Sequence, residues 1–147
     1  LRLFLPRDMA DITYYGLGPV ESYQDKRKAS YHDEFHANVK DLHEDYIRPQ
    51  ENGSHDECDY VKAEGSRISL AAVSADTFAF NASVYTQEEL TEKAHNYELN
   101  ASPYTVLCLD HRQNGIGSNS CGPRLLEQYR FAENEFTFAI SLLPVVK

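Results

Sequence analysis

The sequence predicts an all-β protein, an antiparallel β-sandwich with one short helix near residues 87–95. Three observations carry that expectation. Short apolar segments recur along most of the chain, and Phe78, Phe80, Ala82 and Val84 alternate with Ala79, Asn81 and Ser83 at the period of a half-buried strand. Clusters of Gly, Pro and Asn separate these segments, as turns do between strands. Only the stretch after Thr86 carries a helix start signal. At 147 residues, with 41% hydrophobic and 25% charged content, residues 1–147 form a single domain with a packed core.

Taken in order, Leu1 to Leu5 is apolar apart from one Arg and is broken by Pro6. Ile12-Thr13-Tyr14-Tyr15 is a strand-like run that ends in Gly16-Leu17-Gly18-Pro19, a turn signal. Residues 20–57 are polar, with few periodic apolar positions, and read as a long surface excursion closed by Pro49-Gln50-Glu51-Asn52-Gly53. Cys58 to Ala63 alternates weakly, and Ile68, Leu70 and Ala72 share one face of the next segment. Thr86-Gln87-Glu88-Glu89 is a capping box: the Thr86 hydroxyl accepts from the Glu89 backbone, and Glu89 reaches back. Tyr104 to Leu109 is strand-like and apolar on both faces. Gln128 to Phe131 and Phe136 to Leu143 complete the expected strands, with Phe136, Phe138, Ile140 and Leu142 facing one way.

Bulk charge excludes some function classes. A net charge of −9 argues against a nucleic-acid partner, which needs clustered Lys and Arg. No apolar run approaches the roughly 20 residues of a membrane span, so no membrane partner is expected. Cys58, Cys108 and Cys121 are odd in number, widely spaced and without a Cys-x-x-Cys pair, which reads as free thiols of a reducing compartment and favours the cytoplasm over the periplasm. The sequons at Asn52, Asn81 and Asn100 read as chance, because Asn81 lies in a strand and Pro103 follows the third. The chain opens at Leu1 with no Met or basic leader, as an excised piece of a longer protein does.

Several patterns were candidates for chemistry. His32-Asp33-Glu34-Phe35-His36 approaches His-Glu-x-x-His, and on a helix its two histidines share a face, with His43 as a further ligand. Asp33 stands where a metalloprotease has Glu, and no helical apolar stripe surrounds it, so a solvated segment is the default. The segment Asp110 to Pro123 concentrates three of the seven glycines between two strand-like runs, where a β-protein places a functional loop. Gly117 and Gly122 have phosphate-loop spacing, but Pro123 replaces the phosphate-reaching Lys, and Gly115-x-Gly117 lacks a third glycine and a βαβ context. A glycosidase needs two carboxyl groups ~5–5.5 Å apart for retention or roughly 6.5–9.5 Å for inversion, and 23 acidic residues single out no pair. For stacking on sugar there are ten Tyr and seven Phe but no Trp. Tyr14, Tyr15, Tyr23, Tyr31, Tyr46, Tyr85 and Tyr97 are the candidates, each individually read as a core-rim aromatic.

Taken together, a set of segments resembles the C-terminal domain of the bacterial β-galactosidases of glycoside hydrolase family 2, the lactose-operon type. The carrying residues are Gly16-Leu17-Gly18-Pro19 with Glu21, Tyr23 and Asp25; Pro49 to Gly53; Phe78, Phe80, Asn81, Ser83, Tyr85, Thr86 and Gln87 with Leu90 and His95; Leu109-Asp110; and Gly115-Ile116-Gly117 followed by Pro123. Their order and spacing run through nearly the whole chain.

The resemblance implies a β-supersandwich similar to galactose mutarotase, of which this chain is the second half. It implies that the parent hydrolyses terminal β-galactosides with retention, and that the catalytic glutamates lie on a separate (β/α)₈ barrel, so no residue here is catalytic and the chain alone is inactive. It implies no cofactor or metal in this chain, with magnesium and sodium ligands elsewhere in the full-length enzyme. The implied partners are the rest of the parent polypeptide and a galactoside, and a homo-oligomer is compatible with the pattern. In that family a loop of this domain enters the active site and stacks a Trp on the substrate. The matching residues are Gly117, Ser118, Asn119, Ser120 and Cys121, with Cys121, or Ser120 if the gap shifts, at the Trp position. Cysteine has no aromatic face, so that stacking contact is missing. Two readings from other classes stand beside this one: a stand-alone carbohydrate-binding module using Tyr-lined loops, and a purely structural interface domain.

Overall fold

The computed structural model describes residues 1–117 and 123–147. The described residues form seven strands: β1 (Arg2–Pro6), β2 (Asp11–Gly18), β3 (Tyr31–Asn38), β4 (Ser54–Glu64), β5 (Ile68–Ser83), β6 (Tyr104–Asp110) and β7 (Ser141–Val146). One α-helix, α1 (Gln87–Glu92), and three 3-10 turns complete the regular structure described. All strand pairs are antiparallel, in the order β1-β6-β5-β4-β2-β3, with β7 against the first half of β5. The fold is an all-β antiparallel sandwich with one short helix.

β5 organises it. At about 3.3 Å per residue a straight strand of this length reaches roughly 50 Å, too long for one small domain. Residues Ser69–Val73 pair with β4 on one side and with β7 on the other, whereas Ala79–Ser83 pair with β6. Between Val73 and Phe78 the strand leaves register while β4 advances only from Tyr60 to Cys58. β4 also bulges between His55 and Cys58, where Glu57 takes a positive φ of 53°. Paired strands that bulge together turn the corner of a sandwich.

The core lies beneath this corner. Tyr14 of β2, His55 of β4 and Phe80 of β5 pack ring on ring, with centroids 4.5 to 5.2 Å apart. Ile12, Val61, Phe78, Leu107 and Leu109 close around them. Burial of each large apolar side chain stabilises by roughly 1.5–3 kcal/mol, so the second half of β5 carries much of the fold.

Several sequence expectations are corrected. Residues 20–57 are not a surface loop: they contain β3, and Glu21, Ser22, Tyr23, Val39, Leu42, Asn52 and His55 are buried. β3 is an edge strand, and its polar composition suits an edge that must not pair further. Gly16 to Gly18 continue β2 rather than turning. Phe78 to Ser83 is buried on both faces, because β5 is central. The helix ends at Glu92, not near 95. Thr86 Oγ1 accepts from the Glu89 backbone at 3.1 Å, but the Glu89 carboxylate accepts from Asn100 N at 2.8 Å instead of completing the box. Glu98 meanwhile caps the Ala94 and His95 amides in a new turn. Residues 128–131 are no strand, since Glu127–Tyr129 is a 3-10 turn. The last strand begins at Ser141, and Phe136 and Phe138 instead pack on His111.

Candidate functional site

The site grows from a buried carboxylate. The Glu21 side chain has almost no solvent contact, and such a charge persists only when paired and hydrogen-bonded. It accepts from the Gly53 backbone at 2.7 Å, from Lys26 Nζ at 2.5 Å and from the Tyr46 hydroxyl. Gly53 has φ +70°, and a Cβ there would lie 2.3 Å from Leu42 O, so glycine is required where the backbone turns its N–H toward Glu21. Ser22 and Tyr23 extend the clasp: Ser22 Oγ accepts from Asp56 N at 2.8 Å and Tyr23 Oη from Ser54 N at 3.3 Å. The segment after β2 is thereby locked to the start of β4.

Tyr23 and Lys26 exchange both backbone hydrogen bonds at 3.0 Å, closing a tight turn. Asp25 is at its tip. Its carboxylate accepts from Ile116 N at 3.2 Å and from Gly117 N at 3.0 Å, so it grips the base of the glycine-rich loop. Gly115 makes this approach possible, because a Cβ there would come within 2.1–2.4 Å of the Asp25 carboxyl group. The loop's limbs are fixed separately. Asn114 Oδ1 accepts from Phe131 N at 2.8 Å, Gln113 Nε2 donates to Asp110 Oδ2 at 2.8 Å, and His111 stacks on Phe136 with centroids 4.8 Å apart.

A second acidic side chain, Glu51, lies close to Tyr23 and Asp110. Burial, and then the charge of Asp110, push the Glu51 carboxyl up to about 7, with a Tyr23 hydrogen bond offsetting part of that rise. Its Oε1 is buried with no hydrogen-bond partner among the described residues. Burial and the charges of Asp110 and Glu51 raise the Cys108 thiol to about 11, which leaves it an unreactive thiol.

Gly117 therefore lies at the anchored base of the expected loop, while Ser118, Asn119, Ser120 and Cys121 lie outside the described residues. The histidine pair is on β3, where a four-residue step is roughly 13 Å and cannot share one ion. His32 Nε2 bonds Glu57 O at 2.9 Å, and His36 Nδ1 bonds Thr13 Oγ1 at 2.8 Å. Among the described residues no group of three or more His, Cys, Asp or Glu side chains assembles as a metal site. Of the tyrosines, Tyr14 and Tyr23 are core residues, while Tyr15, Tyr31 and Tyr97 are exposed. Composition and spacing missed the roles of Glu21, Asp25 and Glu51. The only sequence signal was their place in two of the resemblance segments, which named them without a task.

Fold and site together define an all-β antiparallel sandwich in which a carboxylate clamp holds the Ile116 and Gly117 amides. The family described as the beta galactosidase small chain matches residues 1–142. The chain is 48% identical over 143 residues to a β-galactosidase of Actinobacillus pleuropneumoniae, covering 97% of this chain and 14% of that protein. It is 43% identical over 142 residues to one of Staphylococcus xylosus, and 32% identical over 142 residues to one of Lactococcus lactis, again spanning 14% of each. The chain belongs to the β-galactosidase small-chain family, and it spans about one-seventh of the length of these curated relatives.

Proposed function

We propose that this chain is the C-terminal accessory part of a glycoside hydrolase family 2 β-galactosidase, the second half of its mutarotase-like domain. It shapes one wall of the cleft that hydrolyses terminal β-galactosides, and the catalytic glutamates and any magnesium or sodium ligands lie in the rest of the parent. The carrying observation is the Asp25 clamp on Ile116 and Gly117, which fixes the base of the segment from Gly117 to Cys121. A carboxylate that accepts two loop amides fixes a loop's position, as a substrate-contacting wall needs. The match to relatives named β-galactosidase over 97% of the chain and 14% of the relative supports a part rather than a whole enzyme. A stand-alone carbohydrate-binding module is the weaker reading, because two of its seven candidate tyrosines, Tyr14 and Tyr23, are used up in the core.

The test compares β-galactoside hydrolysis by the full-length parent, by the isolated chain, and by the parent with Cys121→Trp. Expected are an active parent, an inactive chain, and a Trp variant whose KM changes several-fold through a new stacking face. Enzyme-like turnover by the isolated chain removes the accessory role. An unchanged KM in the Trp variant means the loop does not reach the sugar.

A further inference from the structure

Beside the clamped loop lies a cleft of about 610 Å³ with an unusual charge. Lys26, Arg27, Lys28 and Arg124 line it against a single carboxylate, Asp25, in a chain whose net charge is −9. Asp25 faces the loop amides, Lys26 is paired with Glu21, and Arg27 with Glu57. Lys28 and Arg124 are both exposed at the cleft mouth. Apolar side chains share the lining: Leu126, the N-cap of the 3-10 turn at Glu127–Tyr129, and Tyr129, its last residue, are both exposed. A second, polar pocket of about 190 Å³ adjoins through Gln24 and Arg27, and its charges are balanced: Arg27 and Arg112 share it with Asp56 and Glu57. Exposed Leu and Tyr flanked by cations have the make-up of a small apolar interface patch with a charged rim.

We propose that this cleft is the docking site for an acidic segment of the parent chain outside these 147 residues, with carboxylates against Lys28 and Arg124 and an apolar side chain against Leu126 and Tyr129. The inference rests on the proposed function, since it takes its occupant from the parent polypeptide. Two observations select that occupant. The charge complements an acidic segment, and this chain accounts for only 14% of the length of its relatives, so most of the parent lies outside it. Docking here seats the clamped loop against the parent, because Asp25 belongs both to the cleft lining and to the clamp.

The experiment uses the full-length parent carrying Lys28→Glu and Arg124→Glu together, with Lys40→Glu, an exposed cation outside the cleft, as control. Limited proteolysis reads the rate at which the C-terminal part is released, and light scattering reads the mass of the assembly. Release from the wild type should rise about tenfold as salt goes from about 0.05 M to about 0.5 M, because screening weakens exposed charge pairs. The double variant should be released about tenfold faster at low salt and respond little to added salt. The control should behave as wild type. Equal release rates and equal salt response in variant and wild type overturn the proposal. A changed assembly mass with unchanged release assigns the cleft to a second copy and overturns it too. Galactoside hydrolysis by the wild-type parent is read in parallel. An inactive parent with salt-dependent release removes the glycosidase reading and keeps the docking site, whereas an active parent with variant release like wild type removes the docking site alone.

Discussion

The Asp25 carboxylate and the Gly117 amide meet at 3.0 Å across 92 residues of sequence, with the Ile116 amide accepted by the other carboxylate oxygen at 3.2 Å. One turn after β2 thus positions a loop after β6. Hydrogen bonds to a charged acceptor each contribute about 1.5–3 kcal/mol when shielded, and less at a half-exposed site such as this.

The two glycines of this clamp should differ sharply on substitution. A Cβ on Gly115 collides with the Asp25 carboxyl at 2.1 Å, whereas one on Gly117 rests 3.7 Å from Asp25 Oδ2, an ordinary contact. Asp25 cannot swing away without releasing both amides. Gly115→Ala should therefore cost about 1–3 kcal/mol locally and speed hydrogen exchange at Ile116 and Gly117 about tenfold or more, while Gly117→Ala leaves both nearly unchanged. Amide exchange measured by NMR separates the two.

The existence of β5 and β6 was legible from the sequence, because they carry the apolar alternation and continuity that core strands need, whereas which strands pair was not. Nor was β3. Its inward residues Phe35 and Ala37 are interrupted by Asp33, and its outward face of His32, Glu34, His36 and Asn38 is that of a charged edge. The clamp was illegible for a related reason. Glu21, Ser22, Asp25 and Asn52 read as surface residues, yet their oxygens are spent on the amides of Gly53, Asp56, Ile116, Gly117 and Glu44. Polar side chains that satisfy distant backbone groups leave no periodic trace, since their partners are set by tertiary contact alone.

Glu51 should make the chain less stable as pH rises. Its folded carboxyl is pushed up to about 7 from 4.5, so the folded state holds a proton that the unfolded chain gives up first. Its favourable contribution is complete below pH 4.5 and lost as pH rises through 7. Glu51→Gln, which keeps the shape without the charge, should gain about 1–3 kcal/mol over wild type at pH 8 and nothing at pH 4. Urea titrations of the 147-residue chain at the two pH values measure this.

His55 acts in the opposite direction. Burial between Tyr14 and Phe80 lowers it from 6.5 to about 4, and its Nδ1–H donates to Leu17 O at 3.1 Å. The unfolded chain takes up this proton first, so stability is full above pH 6.5 and falls by roughly 3 kcal/mol as pH drops through 4. In the Glu51→Gln background this acid limb should add to the smaller one of the carboxyls held low by hydrogen bonds, such as Glu89 and Glu98, and replacing His55 with Phe should shrink it, as a urea titration series from pH 4 to 7 would show.

The Glu21–Lys26 pair should be costlier to break from the lysine side. Glu21→Ala leaves the Gly53 amide and the Tyr46 hydroxyl without their acceptor, a change worth about 1–3 kcal/mol, while the half-exposed Lys26 ammonium returns to water. Lys26→Met should cost more, about 3–5 kcal/mol, because it leaves the buried Glu21 carboxylate with its Tyr46 and Gly53 hydrogen bonds but without a counter-ion. Thermal unfolding of both variants against wild type checks the order.

The most direct measurement is steady-state kinetics of the full-length parent with Asp25→Ala, using a terminal β-galactoside. If the clamped loop forms a wall of the cleft, kcat/KM should fall at least about tenfold while the unfolding temperature shifts by only a few degrees. An unchanged kcat/KM, with the Ile116 and Gly117 amides shown to have lost protection, would contradict a role for this loop in the active site.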